Sequence, residues 1–198
     1  LKPLAPIAKE FGYPEDWRLE PEGSKDLGER PDLDSLGPFR WTPPAAPAAT
    51  VTNIVGEKVP LFVPGARPRL VVFFLGKGCS HCMEQLNTFS PVAKRFGESG
   101  IDLVAVSTDT PEGLKDTLAG EGEKKSAFPF PLYSDAPLTA FKAFRAHDDF
   151  EDLPLHGTYL LDSGGRIRWQ EISYEPFMKP EWLLEECVRL LALKEGES

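Results

Sequence analysis

Cysteine is scarce in this 198-residue chain. There are three, too few and odd in number for a disulfide scaffold. Two of them sit in one Cys79-Ser80-His81-Cys82 and the third, Cys187, stands alone. A second Cys-x-x-Cys is missing. A structural zinc site needs four ligands, usually from two such knuckles, and completing one with His147 or His156 would be arbitrary, so neither metal nor cofactor is expected. Positive charge is also short, 22 Lys and Arg against 31 Asp and Glu for a net −9. That argues against nucleic acid and anionic membrane surfaces, which both need basic patches. No apolar run approaches a membrane span of about 20 residues, and no signal peptide is visible. The chain opens at Leu1 and not at methionine. The expectation is therefore a processed form or a part of a longer multidomain chain, soluble and extracytoplasmic (periplasmic or envelope) in preference to cytoplasmic.

What is present is organised around Leu70 to Cys82. Leu70-Val71-Val72-Phe73-Phe74-Leu75 is a continuous apolar run of strand length, the kind buried on both faces of a sheet. Gly76-Lys77-Gly78 then delivers the two cysteines to the start of a helical pattern. Cys82, Leu86, Phe89, Ala93 and Phe96 follow at helical spacing and define one buried face, with a kink expected at Pro91. Ile101 to Val106 is the next strand, so a parallel, right-handed βαβ unit is predicted.

Around this unit the chain reads as follows. Residues 1–68 hold twelve of the twenty prolines. Residues 1–48 are expected to form an irregular acidic arm, resting on the domain through Phe11, Tyr13 and Trp17 or serving as a linker. Pro43 to Pro47 should be extended and stiff. Residues 49–198 form the folded domain. Thr50–Ile54 and Lys58–Phe62 flank a turn near Gly56, with Pro60 indicating an edge strand. Thr110 caps a helix that begins at Pro111 and fades in Gly120 to Lys125. Phe128–Tyr133 is extended, Asp135-Ala136-Pro137 opens a helix through Phe141 and Phe144, and His147–Asp152 is an acidic loop. Thr158–Asp162 and Arg166–Ile172 make an antiparallel hairpin about Ser163-Gly164-Gly165. Pro180 starts a last helix with Leu183, Cys187, Leu190 and Leu191 on one face. The fold class is α/β, a central mixed sheet flanked by helices.

Two thiols at the first turn of a helix meet unpaired backbone N–H groups and the positive end of the dipole, which favour thiolate. Cys79, at the outer end, is the expected nucleophile and Cys82, one turn inward, the resolving thiol. Lys77 and protonated His81 add positive charge, Ser80 and His81 between the cysteines tune the potential, and Gly78 and Gly157 are supporting positions. The competing readings are a metal site or a pair of structural thiols. Cys187, on an apolar face, reads as a buried inert thiol, with a resolving role as the alternative.

The chain from about Ala49 to Leu193 resembles the thioredoxin-like superfamily, and within it the redoxin branch, the alkyl hydroperoxide reductase/thiol-specific antioxidant family. The resemblance is carried by Val71-Val72-Phe73-Phe74 before Cys79-Ser80-His81-Cys82, then Val104-Ala105-Val106-Ser107-Thr108-Asp109, Phe130-Pro131-Leu132-Tyr133-Ser134-Asp135, and Gly157 to Ile167. It implies a thioredoxin-like fold and a thiol–disulfide oxidoreductase, acting on protein or small-molecule thiols and disulfides. Peroxides are the alternative substrate, and a redoxin-fold binding or sensing module is the non-enzymatic alternative. The departures are specific. Gly76 stands where peroxiredoxins carry the peroxide-activating Thr or Ser, and their proline is absent. Gly78 replaces the thioredoxin tryptophan, and Phe73 its buried acid. His156, just before Gly157, occupies the place of the cis-proline or arginine, where it would face the cysteines as a base or a hydrogen-bond partner.

Overall fold

A computed structural model of the protein describes residues 43–119 and 128–193. By its contacts the chain divides into two units, residues 1–40 and 41–198. Phe11, Tyr13 and Trp17, and the segment from Gly120 to Lys125, lie outside the described residues.

The strands are β1 (Thr50–Thr52), β2 (Lys58–Pro60), β3 (Arg69–Phe74), β4 (Asp102–Ser107), β5 (Leu132–Ser134), β6 (His147–Asp148), β7 (Leu153–Pro154), β8 (His156–Leu161) and β9 (Ile167–Ser173). The helices are α1 (Ser80–Phe89), α2 (Ala93–Glu98), α3 (Pro111–Ala119), α4 (Thr139–Ala143) and α5 (Pro180–Ala192). One seven-stranded sheet runs in the order β2-β1-β5-β4-β3-β8-β9. Its centre is parallel: β3 pairs with β4, and β4 with β5, both in parallel. Antiparallel hairpins extend it on both sides, β1–β2 through Thr52 opposite Ser134 and β8–β9 through β3. The apolar run of β3 is buried on both faces, and its alternating side chains feed two core layers. Leu70, Val72 and Phe74 pack with Cys82, Leu86, Phe89, Phe96, Leu183 and Cys187. Val71 and Phe73 pack with Phe141, Phe144 and Tyr159 on the other side. The Phe73 ring meets the Phe141 and Tyr159 rings edge-on, with centroids 4.9 and 5.6 Å away. This mixed sheet with helices on its faces is the architecture expected from the sequence, and β2, carrying Pro60, is at the edge.

Three details differ from expectation. The helix after the cysteines is broken at Pro91 and not merely kinked, because proline has no N–H and crowds the carbonyl four residues back. Ser90 N–H still reaches Leu86 O at 3.0 Å, and the chain restarts at Ala93. Second, the acidic stretch from His147 is not a plain loop. His147 and Asp148 pair with Pro154 and Leu153 in a separate two-stranded ladder. Third, α4 ends at Ala143, short of Phe144. It also starts at Thr139, after a turn at Ala136 and Pro137, and buried Asp135 is tied to it by accepting from the N–H groups of Thr139 and Phe141 at 3.0 and 2.9 Å. Burial raises the Asp135 pKa above 3.8, and these N–H bonds oppose the rise. Thr110 caps α3 through Gly113 N–H at 3.2 Å. The proline-rich stretch is extended along the β8–β9 turn, where Ala45 bridges Arg166 and Ala46 N–H donates to Gly165 O at 2.7 Å.

Candidate active site

The site lies where β3 ends and α1 begins. Gly76 turns the chain with φ +92°, a conformation that side-chain-bearing residues rarely adopt. A Cβ there would come within 2.5 Å of Asp109 Oδ1. Asp109 is held beneath the turn because its Oδ2 accepts from Lys77 N–H at 2.9 Å. Cys79 follows as the N-cap of α1, and its Sγ accepts from Cys82 N–H at 3.2 Å. This is the usual role of a capping oxygen, filled here by sulfur, and it places the Cys79 sulfur at the positive end of the helix. Cys82 Sγ accepts from Leu75 N–H at 3.3 Å. The two sulfurs are joined in a disulfide whose Cα atoms are 5.2 Å apart. Cys79 is half-buried while Cys82 is wholly buried, the asymmetry expected from their positions on the first turn.

His156 comes to the same point from β8. Phe73 pairs with Gly157 in the antiparallel β3–β8 ladder, so His156 sits beside the end of β3, where the cysteine turn begins. Its Nε2 is 3.2 Å from Cys82 Sγ and 3.8 Å from Cys79 Sγ. The imidazole is buried, and burial pulls its pKa below the ordinary 6.5; backbone acceptors at Tyr174 and Ser173 and the carboxylate of Glu175 oppose the pull. Neutral imidazole is therefore the form held against the sulfurs near pH 7. Gly157 is required for a different reason than Gly76. A Cβ at this position would lie 2.7 Å from the Tyr159 ring and 3.1 Å from Ala146 Cβ, so its absence lets β8 pack closely beside His156.

Of the residues singled out in the sequence, Cys79, Cys82 and His156 meet, with their ligand atoms all within 4.8 Å of one another. This is the one set of three or more His, Cys, Asp or Glu side chains among the described residues with metal-ligand spacing. His81 points elsewhere, its Nδ1 3.5 Å from a Glu175 carboxylate oxygen at the exposed surface. Lys77 and Gly78 are exposed on the turn and Ser80 is exposed as the first residue of α1. A Cβ on Gly78 would meet nothing within 4 Å, so the approach to Cys79 is open on that side. Sequence reasoning missed Asp109, Glu175 and Gln85. Gln85 is fully buried one turn after Cys82 and donates to Phe177 O at 3.1 Å. A polar residue inside an otherwise apolar helical face was the available signal. Cys187 is buried and far up in pKa, pushed to about 12 by burial, as an inert core thiol should be.

The comparisons with known proteins point the same way. A chloroplastic peroxiredoxin Q of Sedum lineare is 28% identical over 146 residues, which cover 73% of this chain and 74% of that protein. Solved peroxiredoxin structures share the fold. Peroxiredoxin Q of Xanthomonas campestris superposes with a TM-score of 0.61 at 19% identity, covering 75% of this chain and 95% of that one. A mitochondrial 2-Cys peroxiredoxin of Plasmodium falciparum gives 0.64 at 18%, covering 76% and 94%. The family model for AhpC/TSA proteins matches residues 44–170, which takes in the whole cysteine turn, His156 and the sheet that holds them together. By that match, on a thioredoxin-like scaffold with a Cys-x-x-Cys disulfide at its centre, the chain belongs to the AhpC/TSA family of thiol-dependent oxidoreductases.

Proposed function

We propose that the protein exchanges thiols and disulfides with a protein or small-molecule partner, with Cys79 as the nucleophile, Cys82 as the resolving thiol and His156 as the proton acceptor for Cys82. The observation that supports this reading is the asymmetry at the pair: Cys79 is reachable, Cys82 is buried, and His156 Nε2 stands closer to Cys82. The Cys79 thiolate attacks one sulfur of the partner disulfide. The partner S–S bond breaks and its second sulfur leaves as thiolate. Cys82 then passes its proton to His156 and attacks Cys79 Sγ. The mixed disulfide breaks, the partner's first sulfur leaves with the proton from His156, and the Cys79–Cys82 disulfide holds the two-electron oxidation. Helix capping by Cys79 Sγ favours its thiolate, and the desolvated imidazole supplies a neutral base where one is needed.

A second reading follows from the family. A hydroperoxide would take the place of the partner disulfide, with Cys79 forming a sulfenic acid that Cys82 condenses with, releasing water. Gly76 lacks the hydroxyl that would help to polarise the peroxide, so this reaction is expected to be the slower one. No described helix is long and apolar enough to cross a membrane. An extracytoplasmic setting and attachment to further domains through residues 1–48 belong to this proposal. The test is turnover of a protein disulfide and of hydrogen peroxide, each coupled to a dithiol reductant. Cys79→Ser should abolish both, and Cys82→Ser should accumulate a mixed disulfide visible as a mass adduct. Wild-type turnover by the Cys79→Ser, Cys82→Ser double variant would sink the proposal.

A further inference from the structure

We propose that the reduced site is also a metal site, in which Cys79, Cys82 and His156 bind one thiophilic cation of the zinc type through two thiolates and Nε2, leaving the fourth position open. The distances carry this. Zinc bonds of about 2.3 Å to sulfur and about 2.0–2.1 Å to nitrogen, at a tetrahedral angle, place each sulfur about 3.6 Å from the nitrogen. The structure has Nε2 at 3.2 Å from Cys82 Sγ and 3.8 Å from Cys79 Sγ, values that bracket that separation. Once the disulfide is reduced, the sulfurs need to part only to about 3.8 Å. Rotation about the Cα–Cβ bonds of two residues with Cα atoms 5.2 Å apart allows this.

Two further features belong to a built site. Backbone N–H groups of Leu75 and Cys82 already point at Cys82 Sγ and Cys79 Sγ, at 3.3 and 3.2 Å, where they would stabilise metal thiolates. Access comes from the Cys79 side, since Cys79 is half-buried and the neighbouring Gly78 has open space where a Cβ would stand. Three protein ligands with an open position is the pattern of sites that exchange a ligand, whereas closed four-ligand sites are structural. Two thiolates also balance a divalent charge, so the site is neutral when occupied.

Metal and disulfide exclude one another, because both use the same sulfur electron pairs. A partner disulfide therefore displaces the ion. The two bound thiolates become the Cys79–Cys82 disulfide, the partner takes two electrons and two protons from solvent to become two thiols, and the cation leaves. Until then the ion shields the dithiol from oxidation.

The test is an anaerobic titration of the chelator-treated, reduced protein with Co²⁺ and then Zn²⁺. One Co²⁺ per chain is expected, with intense tetrahedral ligand-field bands and a thiolate-to-cobalt charge-transfer band, displaced by one equivalent of Zn²⁺. The disulfide form should give neither band. His156→Ala should weaken Co²⁺ binding by more than about 100-fold, beyond the 10–100-fold typical of losing an outer-shell partner. Because His156 is buried, the wild-type protein carries a second readout: Zn²⁺ should shift the ¹⁵N resonance of His156 Nε2. Absent or octahedral Co²⁺ binding by the reduced wild type, His156→Ala binding within threefold of wild type, or an unmoved Nε2 resonance overturns the assignment. The proposal shares its side chains with the redox reading but not its fate. Disulfide turnover without Co²⁺ binding refutes the metal site alone, and Co²⁺ binding without turnover refutes the redox reading alone.

Discussion

Restoring a side chain at Gly76 puts the geometry of the cysteine turn to the test. Gly76→Thr is the tempting change, since it returns the hydroxyl that peroxiredoxins use. At φ +92° any residue with a Cβ loses about 1–2 kcal/mol to the left-handed backbone. The new Cβ would also sit 2.5 Å from Asp109 Oδ1 and 2.8 Å from Oδ2 and Cγ, so the carboxylate must move. Moving it breaks the 2.9 Å bond from Lys77 N–H, a charge-assisted contact whose loss costs about 1.5–3 kcal/mol. Gly76→Ala carries both penalties without the extra bulk and should lose about 2.5–5 kcal/mol, a large share of the roughly 5–15 kcal/mol that holds a domain. Asp109→Ala alone should lose about 1.5–3 kcal/mol. The double variant should lose no more than Gly76→Ala, because the Lys77 bond can be lost only once. The cycle is then sub-additive by about 1.5–3 kcal/mol. Urea unfolding followed by tryptophan fluorescence reads this as midpoint shifts at constant slope. A Gly76→Ala variant within about 0.5 kcal/mol of wild type, or an additive cycle, would refute the reasoning. Gly76→Thr should gain no peroxide turnover, since its hydroxyl enters a turn that has lost its shape.

The remaining predictions concern protonation, packing and reactivity. Because burial lowers the His156 pKa, the unfolded chain takes up the proton first as pH falls below 6.5. Stability attributable to this residue is therefore full above 6.5 and is lost down to the folded-state pKa. Unfolding midpoints measured from pH 8 to pH 5 should fall more steeply for wild type than for His156→Gln. Tyr159 is buried and donates its hydroxyl to Phe144 O at 2.6 Å. Tyr159→Phe leaves that carbonyl unpaired and should cost about 1–3 kcal/mol, read as a lower Tm, with disulfide turnover unchanged. Iodoacetamide should label the reduced native protein at Cys79 and spare Cys187, whose pKa of about 12 keeps it a thiol, until denaturant is added. Early Cys187 labelling would show that the last helix is not packed as described.

Much of this site could be read before any coordinates. A strand, two glycines and a Cys-x-x-Cys opening a helix are local features, and the apolar period already gave Cys82 to the core and left Cys79 outside it. The same period misled at Pro91. Phe89, Ala93 and Phe96 are all buried as their spacing implies, yet periodicity reports which side is buried and says nothing of whether the backbone is continuous. The two-residue strands β6 and β7 are too short to carry a pattern of their own. His156 could be placed near the cysteines by resemblance alone. Its distance from Cys82 is set by the pairing of β3 with β8, across 74 residues of sequence. Asp109 beneath Gly76 and Glu175 beside His81 were invisible for the same reason, since each meets its partner only through the sheet.

The disulfide in the first turn of α1 closes a ring with a sequence separation of only three. By chain entropy such a small ring restrains the unfolded chain by about 2 kcal/mol, against about 4.7 kcal/mol for a 100-residue loop. The cross-link is thus a weak staple beside one that closes a long loop. The sheet and its two aromatic and aliphatic layers hold the domain together whether the sulfurs are bonded or free. On that reckoning the cross-link is one the fold can open and close, because most of what holds the domain lies in the sheet and its packing and little in the bond between the sulfurs.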